Sequence, residues 1–304
     1  MPEGDTVYRQ CKVLHEALAG GTLTAADLRV PGSATANLVG WRLQEVVPRG
    51  KHLLIRLMPP QEAGGAGEVG TPSRPRLTLH NHLMMDGIWH VDGKVLRSSD
   101  TTAGPRPAHT LRIRLTVRHG DGRTVVASGW DVKQVRLIRT SDEYELIGHL
   151  GPDLLDTYWS DDHREQAVAN LLRQAGRELG LALLDQRVMA GLGNIYRSEL
   201  CFLQRVHPAV PVSSWIDSGG DPGAMVDLAH RLLVLNKDRT VRVTTGGMMG
   251  RDGDMWVYGR SGKPCRRCGA RIQRGMLADP SIEGSTPRVI HTCPRCQGEA
   301  PASR

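Results

Sequence analysis

The sequence predicts an α+β protein: an N-terminal helix plus antiparallel β-sandwich, then a helical region, then a C-terminal ribbon held by cysteines. Three observations predict it. Apolar residues near the start fall on one helical face, the stretch up to about Arg139 alternates with period two, and beyond residue 160 the helical period returns. A length of 304 residues allows about two domains with sizeable cores.

The first helix rests on Val7, Cys11, Leu14 and Leu18, spaced i, i+4, i+7 and i+11, with Gly20-Gly21 as its stop. Residues 41–57, 77–79 and 88–91 read as strands. Leu111, Ile113, Leu115 and Val117 alternate cleanly, and Asp121-Gly122 offers a hairpin turn into 124–127. The Pro- and Gly-rich stretch 58–75 can bury little and reads as a mobile surface insertion. Helices are expected over 162–175, 181–189, 194–203 and 222–234, punctuated by Gly176, Gly180, Gly191 and Gly193. The organisation expected is a helix-plus-β-sandwich domain over 1–140, a helical domain over 141–240 and a cysteine-bearing ribbon over 241–304.

The chain carries 39 Lys+Arg against 32 Asp+Glu, a net charge of +7. Residues 1–235 are balanced at 26 of each sign, while 236–304 hold 13 basic and 6 acidic side chains. The surplus therefore sits at the C-terminus, where it points to a polyanionic partner. Arginine makes up 33 of the 39, which suits bidentate phosphate contact and equally suits a GC-rich genome. No stretch approaches the roughly 18 apolar residues of a membrane span, and the start has no secretory hydrophobic region. Collagen-like repeat, disordered and membrane classes are excluded on composition.

Six cysteines are too sparse for a disulfide scaffold, and four of them are bunched. Cys265-x2-Cys268, 24 residues, then Cys293-x2-Cys296 is the spacing of two knuckles closing a four-sulfur structural zinc site. Redox pairs are the bland alternative. One structural Zn2+ is the cofactor expected, and a closed four-thiolate site leaves no position for catalysis.

At the other end, Pro2 and Glu3 follow Met1, and proline is small enough for Met1 to be removed. The exposed secondary amine, near neutral in pKa, can attack a sugar aldehyde carbon to form an iminium. Glu3 is placed to move protons to the opened sugar. Alone, a proline at position two is unremarkable.

Three further motifs change its weight: Arg49-Gly50-Lys51-His52-Leu53-Leu54, Met189-Ala190-Gly191-Leu192-Gly193-Asn194-Ile195-Tyr196, and Arg288-x4-Cys293-Pro294-Arg295-Cys296-Gln297. In this order, after Met1-Pro2-Glu3-Gly4, they resemble the formamidopyrimidine-DNA glycosylase/endonuclease VIII family from residue 2 to residue 297. Gly4 and the stretch from Leu77 to Trp89 look more like the endonuclease VIII branch, and the opening resembles its actinobacterial members.

The resemblance implies a base-excision repair glycosylase with AP lyase activity, acting on oxidised bases, pyrimidines above all. Pro2 would be the Schiff-base nucleophile and Glu3 the general acid, with strand cleavage by β- and then δ-elimination. Lys51 would hold a phosphate beside the lesion, with Arg49 bracing its turn. Asn194 would grip the backbone from a helix–two-turn–helix motif, its Gly-flanked turn offering amides at a helix N-terminus. Arg288 on the zinc-finger hairpin would contact the same kinked backbone. Met84 and Met85 would fill the void left by the flipped base, a task suited to flexible apolar side chains, against the bland reading of strand-end core. Damaged DNA is the partner implied, with no membrane, no small-molecule cofactor, a monomeric state and a cytoplasmic, nucleoid-associated location.

Departures from the family pattern are Thr6, where a carboxylate is common, Asp5, where proline is common, and Asp86 at the third wedge position. Asp5 is a candidate substitute for the missing acid. The 24-residue zinc gap is long for the family, through a loop containing Pro280 and Gly284. A purine-directed enzyme and a non-catalytic zinc-ribbon DNA binder are the alternatives.

Overall fold

The structure is a computed structural model and describes residues 2–60, 74–96, 106–246, 255–279 and 286–300. Most of the expected insertion 58–75 and the Pro280/Gly284 loop lie outside the described residues. Among the described residues no helix is long and apolar enough to cross a membrane. Two compact units are present, one of residues 1–2 and 6–149, the other of residues 3–5 and 150–304.

The first unit holds α1 (Gly4–Leu18, whose first two residues group with the second unit), nine strands and a short α2 (Glu143–Ile147). The strands are β1 (Thr22–Leu28), β2 (Arg42–Arg49), β3 (His52–Met58), β4 (Leu77–His82), β5 (Ile88–Val91), β6 (Lys94–Val95), β7 (Leu111–Arg118), β8 (Thr124–Trp130) and β9 (Lys133–Arg139). They pair antiparallel throughout in the order β6-β5-β8-β7-β1-β2-β3-β4-β9.

Laid flat, β5 and β4 would stand six strand spacings apart in that order, about 29 Å. Yet Trp89 Nε1 on β5 donates to Asn81 Oδ1 on β4 at 3.3 Å, so the sheet folds over on itself. What it encloses is apolar. Val7, Cys11, Leu14 and Leu18 share one core with Leu53, Ile55, Leu79, Ile113, Leu115 and Val117, all buried. Each large aliphatic side chain buried this way contributes about 1.5–3 kcal/mol. The 121–122 turn joins β7 to β8 with Arg118 opposite Thr124, matching the hairpin expected there. Strand β1 went unread because only Leu23 and Leu28 are buried along it and a register shift breaks its alternation.

The second unit contains α3 (Asp161–Leu172), α4 (Leu179–Ala182), α5 (Asn194–Leu203), α6 (Val212–Asp217), α7 (Pro222–Asn236), the hairpin β10 (Gln273–Leu277) and β11 (Arg288–Thr292), and α8 (Pro294–Gln297). Asp221 caps α7 by accepting from Ala224 N at 3.1 Å, with Pro222 in the first turn. The helix expected over 181–189 is not formed beyond α4. Asp185 accepts from Arg187 N at 3.0 Å, and Gln186 Nε2 donates to the carbonyls of Leu184 and Leu192 at 2.9 Å. These side chains take backbone partners that a continuing helix would need.

Candidate active site and nucleic-acid interface

Every residue of α5 from Asn194 to Phe202 is buried, and the start of that helix is where Glu3 is held. The Glu3 carboxylate, 0% exposed, accepts from Ile195 N at 2.7 Å, Gly193 N at 2.8 Å and Tyr196 N at 3.3 Å. A carboxylate here satisfies first-turn amides and meets the positive end of the helix dipole. Gly193 is required by this approach: a Cβ at that position would lie 2.5 Å from Glu3 Cδ. The amides expected to await a phosphate beside Asn194 are thus engaged by Glu3. Asn194 itself is the first helical residue, and its buried Oδ1 has no hydrogen-bond partner. Pro2, buried, is joined to Glu3 by the chain.

Asp5, offered by the sequence as a substitute acid, is committed elsewhere. It accepts a bidentate pair from Arg242, Nε at 2.6 Å and Nη2 at 2.7 Å, and a third bond from the Tyr196 hydroxyl at 2.9 Å. Both charged side chains are almost wholly buried, 5% and 3% exposed. Burial alone would lower the Arg242 pKa, but the Asp5 charge outweighs it and holds it well above the ordinary value. Burial and the same carboxylate push the Tyr196 phenol up. Thr6 is buried beside them in sequence. Arg242 was not singled out from sequence; it lies 237 positions from its partner.

In the first unit Arg49 and His52 face each other across the β2–β3 hairpin, so Lys51 sits on a two-residue turn whose Gly50 adopts φ 57°. Met84 and Met85 follow β4 and are 42% and 53% exposed, Met84 in the left-handed region at φ 52° with its amide donating to His82 Nδ1 at 2.9 Å.

The β3–β4 register also gathers histidines that sequence reading passed over. His52 lies opposite His82, with His80 on the same face, and His52 Nδ1 meets His80 Nε2 at 2.8 Å. With His149, Arg136 and Glu145 they line a cavity of 440 Å3. Burial first, then neighbouring positive charge, lowers His52 to about 3, and His80 and His82 each to about 4.

Their sign is definite. The unfolded rings take up protons as pH falls through about 6.5 while the folded rings stay neutral, so stability present above pH 6.5 is lost on acidification toward pH 4. Each ring contributes a slope of about 1.4 kcal/mol per pH unit in that window. The urea midpoint should therefore drop steeply from pH 7 to pH 5, and His80→Phe should flatten the drop. A midpoint that His80→Phe leaves equally pH-sensitive would contradict neutral buried rings.

At the C-terminal end Cys265, Cys268, Cys293 and Cys296 bring their sulfurs within 4.8 Å of one another. Cys268 Sγ lies 3.4 Å from Cys293 Sγ, and Cys265 Sγ 3.9 Å from Cys296 Sγ. Four sulfurs at about 2.3 Å from a tetrahedral Zn2+ stand about 3.8 Å apart, so the donor set fits a metal ion. A hydrogen bond from the Ala270 amide lowers Cys268 to about 7. Arg288 is exposed at the start of β11, opposite Leu277. Within α5, buried Glu199 accepts from the amides of Trp256 (2.8 Å), Val257 (2.9 Å) and Tyr258 (2.8 Å) and from the Thr244 hydroxyl, and so holds the segment leading into the cysteine cluster. Glu199, like Arg242 and the histidines, was not singled out from sequence.

Cys268→Ser should lose both the metal and the hairpin's order. Metal content by atomic absorption and DNA nicking are expected to fall together; full nicking by metal-free protein would contradict a structural role for the cluster.

A buried Pro2–Glu3 start, a helix-anchored carboxylate and a four-cysteine ribbon meet the matches to known families: the formamidopyrimidine-DNA glycosylase N-terminal domain over residues 1–132 and the formamidopyrimidine-DNA glycosylase H2TH domain over 150–218. The chain belongs to the formamidopyrimidine-DNA glycosylase family. It is 44% identical to the probable endonuclease 8 2 of Streptomyces coelicolor, over 99% of this chain and 96% of that one. It is 39% identical to the DNA-(apurinic or apyrimidinic site) lyase Nei2 of Mycolicibacterium smegmatis, over 98% and 99%. The fold is shared with a Lactococcus lactis Fpg solved with abasic-site DNA, at 22% identity and TM-score 0.68, covering 98% of this chain and 100% of that one.

Proposed function

We propose that the protein is a DNA glycosylase with AP lyase activity in base-excision repair, acting on oxidised bases, pyrimidines above all, in damaged DNA through the amine of Pro2. The observation that carries this is the Glu3 carboxylate, fully buried yet held by three backbone amides one residue from that amine. Burying a carboxylate with this much of its acceptor capacity met by the main chain fixes its place in the chain, and with it the residue before it. The pyrimidine preference rests on the resemblance to the endonuclease VIII branch, and relatives named endonuclease 8 2 and AP lyase Nei2 support that branch.

Once Met1 is removed, the Pro2 nitrogen lone pair attacks C1′ and the bond from C1′ to the damaged base breaks, the base leaving with a proton. Loss of the C1′ oxygen link of the ring gives an iminium, the Glu3 carboxylate taking the proton that the Pro2 nitrogen sheds and passing it to the ring oxygen as the ring opens. Removal of a C2′ proton expels the 3′ phosphate, and a second elimination expels the 5′ phosphate; water then hydrolyses the iminium and returns the free amine.

Lys51, on its hairpin turn, and Arg288, at the start of β11, contact the DNA backbone, with Arg49 bracing the turn and Asn194 contributing a backbone contact from α5. Exposed Met84 and Met85 fill the space left by the flipped nucleotide. One structural Zn2+ on the four cysteines supplies no step; it fixes the ribbon that carries Arg288. The protein works as a cytoplasmic monomer. Borohydride is the direct test: it reduces an iminium to a stable amine, so mixing protein, abasic-site duplex and borohydride should give a covalent protein–DNA adduct. No adduct would refute the enzyme reading in favour of a DNA-binding ribbon protein.

A further inference from the structure

Arg197 of α5 is 0% exposed, yet it has no ion pair among the described residues. Its Nη2 donates to the Val289 carbonyl at 2.7 Å, but Nε and Nη1 are buried without a hydrogen-bond partner. Arg242, equally buried, has Asp5. A desolvated guanidinium with unused donors is costly, and replacing such a group with an apolar side chain often leaves a protein as stable or more so.

Among the described residues, none of the groups around it pairs with the guanidinium directly, and the opposing charges act on it only through space. Burial lowers its pKa to about 10, and the charge of Arg288 acts in the same direction, while Cys201 on its own helix, Glu3 and Tyr258 act against it. Arg288 is the residue before Val289, so the Nη2 bond also ties the strand that carries Arg288 to α5.

We infer that Arg197 and Arg288 form a two-arginine anion site, Arg197 its buried half and Arg288 its exposed half, and that a phosphodiester of bound DNA offsets the positive charge that no ion pair of Arg197 meets. The inference rests on the proposed function for its ligand. In a desolvated setting the field of Arg197 reaches a phosphate at Arg288 with far less screening than a surface charge would suffer. Arg197 is thus a positioning residue that also lends charge, where a plain strut would lend none.

The test uses the full chain and a duplex carrying a tetrahydrofuran abasic-site analogue, with affinity measured by fluorescence anisotropy across salt concentrations. Arg197→Met should melt no lower than the wild type, bind about tenfold more weakly at low salt, and give a salt slope shallower by about one unit. Wild-type affinity and slope in that variant would overturn the inference.

Arg197→Lys decides the matter if the methionine variant folds poorly. A lysine buried there has its pKa pulled down toward neutrality, and a bound phosphate pulls it back up, so DNA binding takes up a proton. Its affinity should fall several-fold more than that of the wild type between pH 7 and pH 9.5; an unaltered pH profile would overturn the two-arginine site. Borohydride trapping of the wild type is scored separately, so a protein that binds in this manner but does not trap would remove the enzyme reading and leave the anion site standing.

Discussion

An N-terminal extension retained ahead of Pro2 should abolish base excision and borohydride trapping together, while binding to an abasic-site analogue stays within a few-fold of the wild type. The extension converts the secondary amine into an amide, whose nitrogen lone pair is delocalised and cannot attack C1′. Removing a covalent nucleophile from an enzyme of this kind is expected to cost many orders of magnitude, because the residual binding and polarisation act on a bond that no longer has an attacking partner. Pro2→Gly is the weaker test, since a primary amine remains. Should the extended protein still give a reducible adduct, the nucleophile is a lysine, and Lys51 is the first to replace.

Arg242→Ala should be the most destabilising single change near the site. It leaves the Asp5 carboxylate buried at 5% exposure without the guanidinium that pairs with it, and stranding one member of a buried ion pair costs about 3–5 kcal/mol. For a chain of this size that is a loss of several degrees or more in Tm. The double variant Asp5→Leu/Arg242→Met removes both charges and should recover most of the loss, so the pair is separable from the packing around it. Equal melting temperatures for the single and double variants would mean that lost packing, not the stranded charge, sets the cost. The recovered double variant should nonetheless excise bases slowly, because nothing then ties residue 5 to residue 242.

Much of this was legible in the sequence where a local period or spacing carries the information. The four apolar positions of α1 are all core residues, and two Cys-x2-Cys knuckles are enough to bring four sulfurs together. What the sequence hid depends on partners far along the chain. Asp5 reads as a vacant acid until Arg242 is seen closing on it, and the amides before Ile195 read as a phosphate cradle until Glu3 is found there. The strand period puts His80 and His82 on one face, but only the β3–β4 register adds His52 to them. The 181–189 helix failed for the opposite reason, since Asp185 and Gln186 carry hydrogen-bonding side chains that a hydrophobic period cannot weigh.

The anchoring of residues 3 and 5 has a consequence for synthesis. A ribosome makes the N-terminus first, but Glu3 must wait for residues 193–196 and Asp5 for residue 242 before either has its partners. Until then neither carboxylate has these hydrogen bonds, and the amino end is held by none of them. On the proposed reading of Pro2 as the nucleophile, a nascent chain stopped short of residue 242 would carry that amine without the Asp5–Arg242 pair three residues on, so strand-cutting chemistry would wait until translation has passed most of the way to the ribbon.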